Sequence, residues 1–231
     1  MERTGLAWLL PVTIRRAFIA GKFYVAIATA VSLILALVLV RNPHHLFAST
    51  FPLEAPLFAT LGSLGGLMIF AGDRTKGVFE YLIAYGVKPV TLFVNGLLAS
   101  IAVSTVVLGG ILLVGLGIFY GSGGATTLDL EKTLGLYTVP MTYAGTTFLT
   151  TAGMYWSSLA SPRMGVNSPV GIAPLLGIAP TILILIIAES SPTSQYYYIT
   201  AGGAGAVAGL SLILLALSGK LMSRERFLSP I

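Results

Sequence analysis

Residues 91–119 read TLFVNGLLASIAVSTVVLGGILLVGLGIF and contain no charged side chain. A helix that crosses the hydrocarbon core of a bilayer needs about 20 apolar residues at a rise of about 1.5 Å each. The uncharged interval runs from Lys88 to Asp129, and the Gly-Ser-Gly-Gly sequence at 121–124 is typical of a loop. This interval therefore predicts one long transmembrane helix followed by a loop.

The composition of the whole chain agrees with a membrane environment. Hydrophobic residues make up 55% of the 231 residues, charged residues only 9%, and the mean hydropathy is +0.91. Soluble domains carry about 25% charged residues, so this chain could not cover its surface with polar side chains in water. The sequence has no cysteine, which excludes disulfides, iron–sulfur clusters and thiolate zinc sites.

The other uncharged intervals predict further membrane-spanning helices of the same kind. We expect an all-α polytopic membrane protein that forms a single transmembrane domain over residues 1–231, with no separate soluble domain. The six predicted spans cover residues 23–40, 55–71, 91–119, 135–159, 169–188 and 198–219.

The positive charges between the spans predict the orientation of the chain. Lys and Arg accumulate in the cytoplasmic loops of membrane proteins. With the N-terminus inside, only Arg41 and Lys132 fall outside, and eleven basic residues fall inside. These eleven are Arg3, Arg15, Arg16, Lys22, Arg74, Lys76, Lys88, Arg163, Lys220, Arg224 and Arg226. We therefore expect a multi-pass protein of the cell membrane with both termini cytoplasmic.

The predicted spans contain no ionisable side chain at mid-depth, and this excludes several functions. Proton relays, ion-coupled carriers and voltage sensors depend on buried ionisable groups. Glu54 and Glu189 lie at predicted outer span ends, where an interfacial carboxylate is the ordinary interpretation and a polar group at the exit of a pathway is the alternative. A serine–histidine or aspartyl intramembrane protease would need His or Asp inside the bundle. We predict no catalytic residue and no enzymatic activity in this chain.

Nucleotide and metal sites are also not predicted. No Gly-x-x-x-x-Gly-Lys-[Ser/Thr] sequence occurs, so the chain has no phosphate-binding loop. The only histidines, His44 and His45, are adjacent in an outer loop without nearby carboxylates, which makes a poor metal site. We expect no cofactor bound by this chain and no nucleic-acid partner.

The fifth predicted span is punctuated by prolines, among them Pro174 and Pro180. Proline removes a backbone donor and clashes with the preceding helical turn, so this helix is predicted to be kinked or broken. A static kink and a hinge beside a transport path explain the pattern equally well.

Residues 5–20, GLAWLLPVTIRRAFIA, precede the first span. Apolar residues recur at helical spacing, and Arg15 and Arg16 fall on the other side. Trp8 and the two arginines suit the headgroup region. The pattern predicts an amphipathic helix that lies in the inner interface of the membrane.

The segment between spans two and three, FAGDRTKGVFEYLIAYGVKP at residues 70–89, is too apolar for a plain solvated turn. Gly86 and Pro89 are typical of a helix end and of the start of the next helix. We predict a short cytosolic helix whose exposed aromatic and aliphatic ridge is formed by Val78, Tyr81, Leu82 and Tyr85. Docking of a partner and simple packing against lipid are both compatible with this ridge.

The sequence DRTKGVFEYLIAYGVKP at 73–89 resembles the loop between the second and third helices of permease subunits of type 2 ABC transporters of the exporter class. That family shows an acidic–basic pair, a Gly, a hydrophobic–Glu–x–Leu element and a Pro or basic residue that enters the third helix. The six-span layout and the amphipathic N-terminal helix also resemble this family. The sequence departs from it at Asn95, where members often have a Lys.

The resemblance implies that the 73–85 helix is a coupling helix that docks a separate ATP-binding subunit. It implies polar contacts from Asp73, Arg74 and Glu80. Residues implied for the same docking surface are Gly77, Phe79, Tyr81, Leu82 and Tyr85. ATP and Mg²⁺ would bind the partner ATPase, and a second copy or homologue of the permease would complete a dimer with the transport path between the permeases.

Two readings from other classes stay open on the sequence alone. A stand-alone channel or secondary carrier would work without a partner but needs a polar path through the spans. A non-transporting scaffold or assembly protein would use the same short helix to dock something other than an ATPase. The substrate is not predicted, although an apolar bundle without charge favours a hydrophobic, lipid-like or peptide substrate over an inorganic ion.

Overall fold

The computed structural model describes residues 6–41, 51–121, 123, 134–159, 179, 183–184, 186–187 and 193–221. Most of the predicted fifth span lies outside these residues, and so do the candidate hinge prolines Pro174 and Pro180. The histidine pair His44 and His45 also lies outside them.

All regular structure in the described part of the chain is helical. The helices are α1 (Leu6–Ala20), α2 (Lys22–Arg41), α3 (Phe51–Gly62), α4 (Leu64–Thr75), α5 (Val78–Ala84), α6 (Pro89–Gly121), α7 (Val139–Leu159) and α8 (Thr193–Leu221). A π-helical turn, Leu134–Thr138, leads into α7.

Three helical stretches are long and apolar enough to cross a membrane. They are Glu54–Thr75, Pro89–Gly121 and Tyr198–Leu217. The first combines α3 and α4, which are joined at Ser63. Lys22–Val31 is a shorter apolar helical stretch. The prediction of a helical, membrane-embedded protein is therefore confirmed. Three of the six predicted spans, 55–71, 91–119 and 198–219, coincide with these stretches, and the six-span layout stays a prediction.

The long helix α6 is the centre of the packing. It contacts α1, α2, α3, α4 and α7, whereas α8 packs mainly against α7. Apolar residues occur on all sides of α6, as expected for a helix that is surrounded by other helices and lipid. Side chains on its C-terminal half, such as Leu113, are exposed and available to lipid.

Helices α1 and α2 follow each other with little interruption. The amide of Gly21 donates to the carbonyl oxygen of Ala17 at 2.8 Å, and the amide of Val25 donates to the carbonyl oxygen of Gly21 at 3.0 Å. Helix α1 packs against α4 and α6, and α2 packs against α3 and α6. The N-terminal helix is thus part of the bundle as well as a neighbour of the predicted membrane interface.

The buried face of α1 agrees with the predicted amphipathic pattern, but the exposed face does not. Leu9 and Ala17 are buried, as the apolar periodicity predicts. The opposite face carries Arg15 but also Trp8, Val12 and Ile19, which are all exposed. This outer face is therefore largely apolar, which suits contact with lipid.

Candidate docking site and the adjoining cavity

Two glycines with left-handed backbone conformations define the ends of the short helix α5. Gly77 has a φ of 73° and Gly86 a φ of 88°, a region that residues with a Cβ rarely adopt. At the end of α5, the amide of Val87 donates to the carbonyl oxygen of Leu82 at 3.0 Å, and the amide of Gly86 donates to that of Ile83 at 3.0 Å. This hydrogen-bond pattern is a Schellman motif, which ends the helix sharply.

The inner face of α5 is fixed to α4. Phe79 and Ile83, four residues apart, are both buried. The ring of Phe79 packs edge to face against Phe70 of α4, with ring centroids 4.9 Å apart. The sequence placed Phe79 among the docking contacts, but the structure turns it inward.

The outer face of α5 carries two tyrosines. Tyr81 is 61% exposed and Tyr85 is 73% exposed, and their rings lie 4.6 Å apart. A hydrogen bond with Tyr85 raises the pKa of the Tyr81 phenol above its ordinary value. Glu80 is exposed beside them, whereas Val78 and Leu82 are half-buried. The exposed ridge is therefore narrower than predicted and consists of Tyr81 and Tyr85.

Asp73 and Arg16 form an ion pair that the sequence did not predict. Nη1 of Arg16 donates to Oδ2 of Asp73 at 2.8 Å, and Nη2 donates to Oδ1 at 2.5 Å. Asp73 is 7% exposed, whereas the side chain of Arg16 is 47% exposed. The hydrogen bonds to the carboxylate raise the pKa of the Arg16 guanidinium. The pair joins α1 to α4 directly before α5 begins.

Because of this ion pair, Asp73 and Arg16 make contacts other than those predicted from the sequence. Asp73 was expected to face an ATPase, and Arg16 to face lipid headgroups. The structure turns Asp73 towards α1 instead. Arg74 is half-buried, and Glu80 is the most accessible of the three residues expected to make polar contacts. Arg15 is exposed, as expected for a headgroup contact.

A cavity of about 170 Å³ lies between α1, α4, α5 and α6. Its walls are mainly apolar, and Trp8 lies at its rim, 55% exposed. Asp73, Arg16 and Asn95 also line it. The half-buried residues of α5, Val78 and Leu82, form one wall, so the inner side of the short helix is also the side of the cavity.

A seam of buried hydroxyl groups runs between α6 and α7, and the sequence reasoning missed it. The hydroxyl groups of Ser104 and Thr146 are 2.8 Å apart, and both residues are fully buried. The sequence signal was a threonine at every fourth position of the fourth predicted span, which places the hydroxyl groups on one helix face. The threonines are Thr138, Thr142, Thr146 and Thr150.

Two further buried hydroxyl residues lie one turn along the two helices from this contact. Ser100 and Thr150 lie one turn from Ser104 and Thr146 on their respective helices, and all four residues are fully buried. Within the described part of the chain, the hydroxyl oxygens of Ser100 and Thr150 have no hydrogen-bond partner. The seam contains no ionisable group, so it offers hydroxyl oxygens and no fixed charge.

The chain matches no protein-family model, no curated protein and no solved structure. Among the described residues, no group of three His, Asp or Glu side chains lies together as metal ligands would. The functional interpretation therefore depends on the geometry of α5 and its surroundings.

Proposed function

We propose that this chain is the membrane-spanning permease subunit of an ATP-driven transporter of the type 2 ABC exporter class. In this proposal α5 docks a separate ATP-binding subunit. The observation that carries the proposal is the construction of α5: a short helix, fixed to α4 on its inner face, that presents Tyr81 and Tyr85 to a partner. Aromatic side chains are enriched at protein–protein interfaces and often carry much of the binding energy.

The attachment of α5 suits the transmission of force. The inner face is held by Phe79 and Ile83, and the helix connects α4 to α6 through two tight glycine turns. A displacement of α5 by a partner would therefore be passed to both helices rather than absorbed by a loose loop. The ion pair between Arg16 and Asp73 would extend this connection to α1.

The remaining features of the proposal follow from the same assignment. Six spans with cytoplasmic termini would place α5 at the cytoplasmic face, where an ATP-binding subunit can reach it. ATP and Mg²⁺ would bind that subunit, and two permeases would enclose the path of a hydrophobic, lipid-like or peptide substrate. The permease itself would have no catalytic role.

Co-purification with a coupled ATPase assay tests the proposal. The chain is expressed together with the ATP-binding subunit encoded nearest to its gene, and four forms are compared: wild type, Glu80→Arg, the double variant Tyr81→Ala/Tyr85→Ala, and Tyr198→Ala. Tyr198 is 80% exposed on α8, far along the chain from α5, and is a matched control for loss of an exposed tyrosine.

We expect a stable complex with the wild type and with Tyr198→Ala. Because aromatic anchors dominate interfaces, the double variant should lose at least about tenfold in affinity for the ATP-binding subunit, and Glu80→Arg should weaken or uncouple the complex. Equal binding and equal ATPase activity of all four forms would contradict the proposal. Transport by the chain alone would favour a stand-alone carrier, and binding through Tyr81 and Tyr85 of a partner without ATPase activity would favour a scaffold.

A further inference from the structure

Helices α1 and α2 share one exposed face that continues across their junction. The amides of Gly21 and Val25 donate to carbonyl oxygens four residues earlier, at 2.8 and 3.0 Å, so the helical hydrogen-bond pattern is not interrupted. Residues three or four apart therefore lie on one side of both helices. The exposed residues with this spacing are Trp8, Val12, Arg15, Ile19, Lys22 and Phe23.

Two cations on this face have no protein partner. Arg16 turns away from it and binds Asp73 through two hydrogen bonds. Its neighbour Arg15 is exposed, and so is Lys22. In the part of the chain that the structure describes, neither Arg15 nor Lys22 takes part in an ion pair. The face therefore offers two positive charges to a molecule that covers it.

Large apolar side chains lie beside these charges. Trp8, Ile19 and Phe23 are each more than half exposed. Lys22 is the first residue of the apolar stretch Lys22–Val31, so the cations lie where hydrocarbon would give way to lipid headgroups. Exposed apolar side chains beside unpaired cations match an amphiphile that has hydrocarbon chains and a negative headgroup.

The spacing of the two cations suits a headgroup between them. Arg15 and Lys22 are seven residues apart, which corresponds to about 10.5 Å along a helix. Their long side chains can reach along the face while their apolar stems stay on hydrocarbon. Because Ile19 lies between them, an anionic group beside Ile19 would be within reach of both charges.

A second copy of the chain fits this face poorly. A symmetric contact uses the same patch on both subunits, so an interface centred on Ile19 would bring four cations together. Like charges across an interface oppose association. Contact with an anionic lipid compensates the two charges instead.

We propose that this face of α1 and α2 binds anionic phospholipids in preference to zwitterionic ones. The lipid phosphate lies between Arg15 and Lys22, and the acyl chains pack against Ile19 and Phe23. Lipid binding here does not depend on the docking role of α5, because no ATP-binding subunit takes part in it.

Tryptophan quenching by brominated lipids tests the proposal, because the chain has only two native tryptophans to replace. In the Trp8→Phe/Trp156→Phe background, Ile19→Trp places a reporter between the two cations. The control reporter Leu113→Trp is exposed on α6, within the uncharged residues 91–119. The full chain is reconstituted in phosphatidylcholine vesicles that contain increasing fractions of brominated phosphatidylglycerol or, separately, brominated phosphatidylcholine.

We expect the two lipids to quench the reporter between the cations at different concentrations. Half-maximal quenching of Ile19→Trp should need an at least about fivefold lower mole fraction of the brominated phosphatidylglycerol, since one cation near a lipid surface contributes about that factor. Leu113→Trp should respond equally to both lipids, because no charged residue lies near it in the sequence.

Neutral variants at the two cations sharpen the test. With the Ile19→Trp reporter, Arg15→Gln and Lys22→Gln should each reduce the preference, and the double variant should abolish it. Lys88→Gln removes an exposed cation between α5 and α6 and should leave the preference unchanged. Equal quenching of all forms by brominated phosphatidylcholine would show that the variants are folded and in contact with lipid.

Three results would overturn the proposal. One is equal quenching of Ile19→Trp by the two lipids, and another is a preference that survives in the double variant or is shared by Leu113→Trp. The third is weak quenching of Ile19→Trp by both lipids, which would show that a protein rather than lipid covers this face.

Discussion

The beginning and the middle of α6 are packed in different ways. Near its beginning, Asn95 meets α1 beside the Arg16–Asp73 pair and a cavity of about 170 Å³. About two and a half turns further along, Ser104 packs directly against Thr146 of α7, with both residues fully buried. Hydroxyl groups on small side chains allow close approach of helices in lipid. The Arg16–Asp73 pair instead borders the open cavity.

Two adjacent glycines of α4 allow close packing against two different helices, α1 and α6. A Cβ on Gly65 would meet the carbonyl oxygen of Ala17 in α1, and a Cβ on Gly66 would meet the hydroxyl oxygen of Ser100 in α6. At these two glycines, the backbone of α4 therefore packs closely against both α1 and α6. The cavity region and the hydroxyl seam therefore differ in their side chains, because the backbone of α4 is in close contact on both sides.

The largest effect is expected at Gly65. The new Cβ in Gly65→Ala would press on backbone atoms of Ala17 and Gly21, which cannot rotate away, and we expect a loss of about 3 kcal/mol in unfolding free energy. Gly72→Ala on the same helix has no atom within 4 Å of the new Cβ; it should cost nothing and could add up to about 1 kcal/mol through helix propensity. Thermal unfolding in detergent measures both. Equal stabilities would show that α1 does not pack tightly on α4.

An intermediate and asymmetric effect is expected at the ion pair. Arg16→Leu leaves a buried carboxylate without its partner and should cost about 2 kcal/mol. Asp73→Asn leaves a half-exposed guanidinium that can turn to water, so it should cost only about 1 kcal/mol. The double variant should restore part of the loss in a double-mutant cycle. Equal and additive losses would mean that the two side chains do not interact.

The smallest effects are expected in the hydroxyl seam, where two serines one turn apart should behave differently. Ser104→Ala leaves the hydroxyl of Thr146 without its partner and should cost about 0.6–1.7 kcal/mol. Ser100→Ala removes a hydroxyl oxygen that has no partner in the described residues, so it should be neutral or stabilising. Unfolding of both variants under identical conditions decides this. A greater loss for Ser100→Ala would point to a buried water or ligand at that hydroxyl.

Sequence reasoning worked where local pattern determines structure. Uncharged runs indicated the helices, and Gly86 marked the end of α5 because glycine readily adopts its left-handed backbone conformation. The start of this helix was predicted at residue 73, but residues 73–75 belong to α4 and α5 begins at Val78. Arg16 and Asp73 are 57 residues apart, and nothing in either segment alone indicates that they meet. The division of α5 into a buried face with Phe79 and an exposed face with Tyr81 also depends on the position of α4.

The hydroxyl seam was missed for a different reason. Hydroxyl groups are uncharged, so the fourfold spacing from Thr138 to Thr150 does not show in the pattern of ionisable residues. The spacing was visible in the sequence, but its partners, Ser100 and Ser104, could be assigned only from the packing of α6 on α7.

Cysteine labelling tests the docking role of α5 most directly, because the native chain has no cysteine. Tyr85→Cys and the control Tyr198→Cys are placed in sealed vesicles of known orientation and treated with a membrane-impermeant maleimide. We predict that Tyr85→Cys reacts only from the cytoplasmic side and that the ATP-binding subunit slows this reaction. Tyr198→Cys should react only from the outer side and be unaffected by that subunit. Reaction of Tyr85→Cys from the outer side, or at the same rate with and without the ATP-binding subunit, would contradict the account.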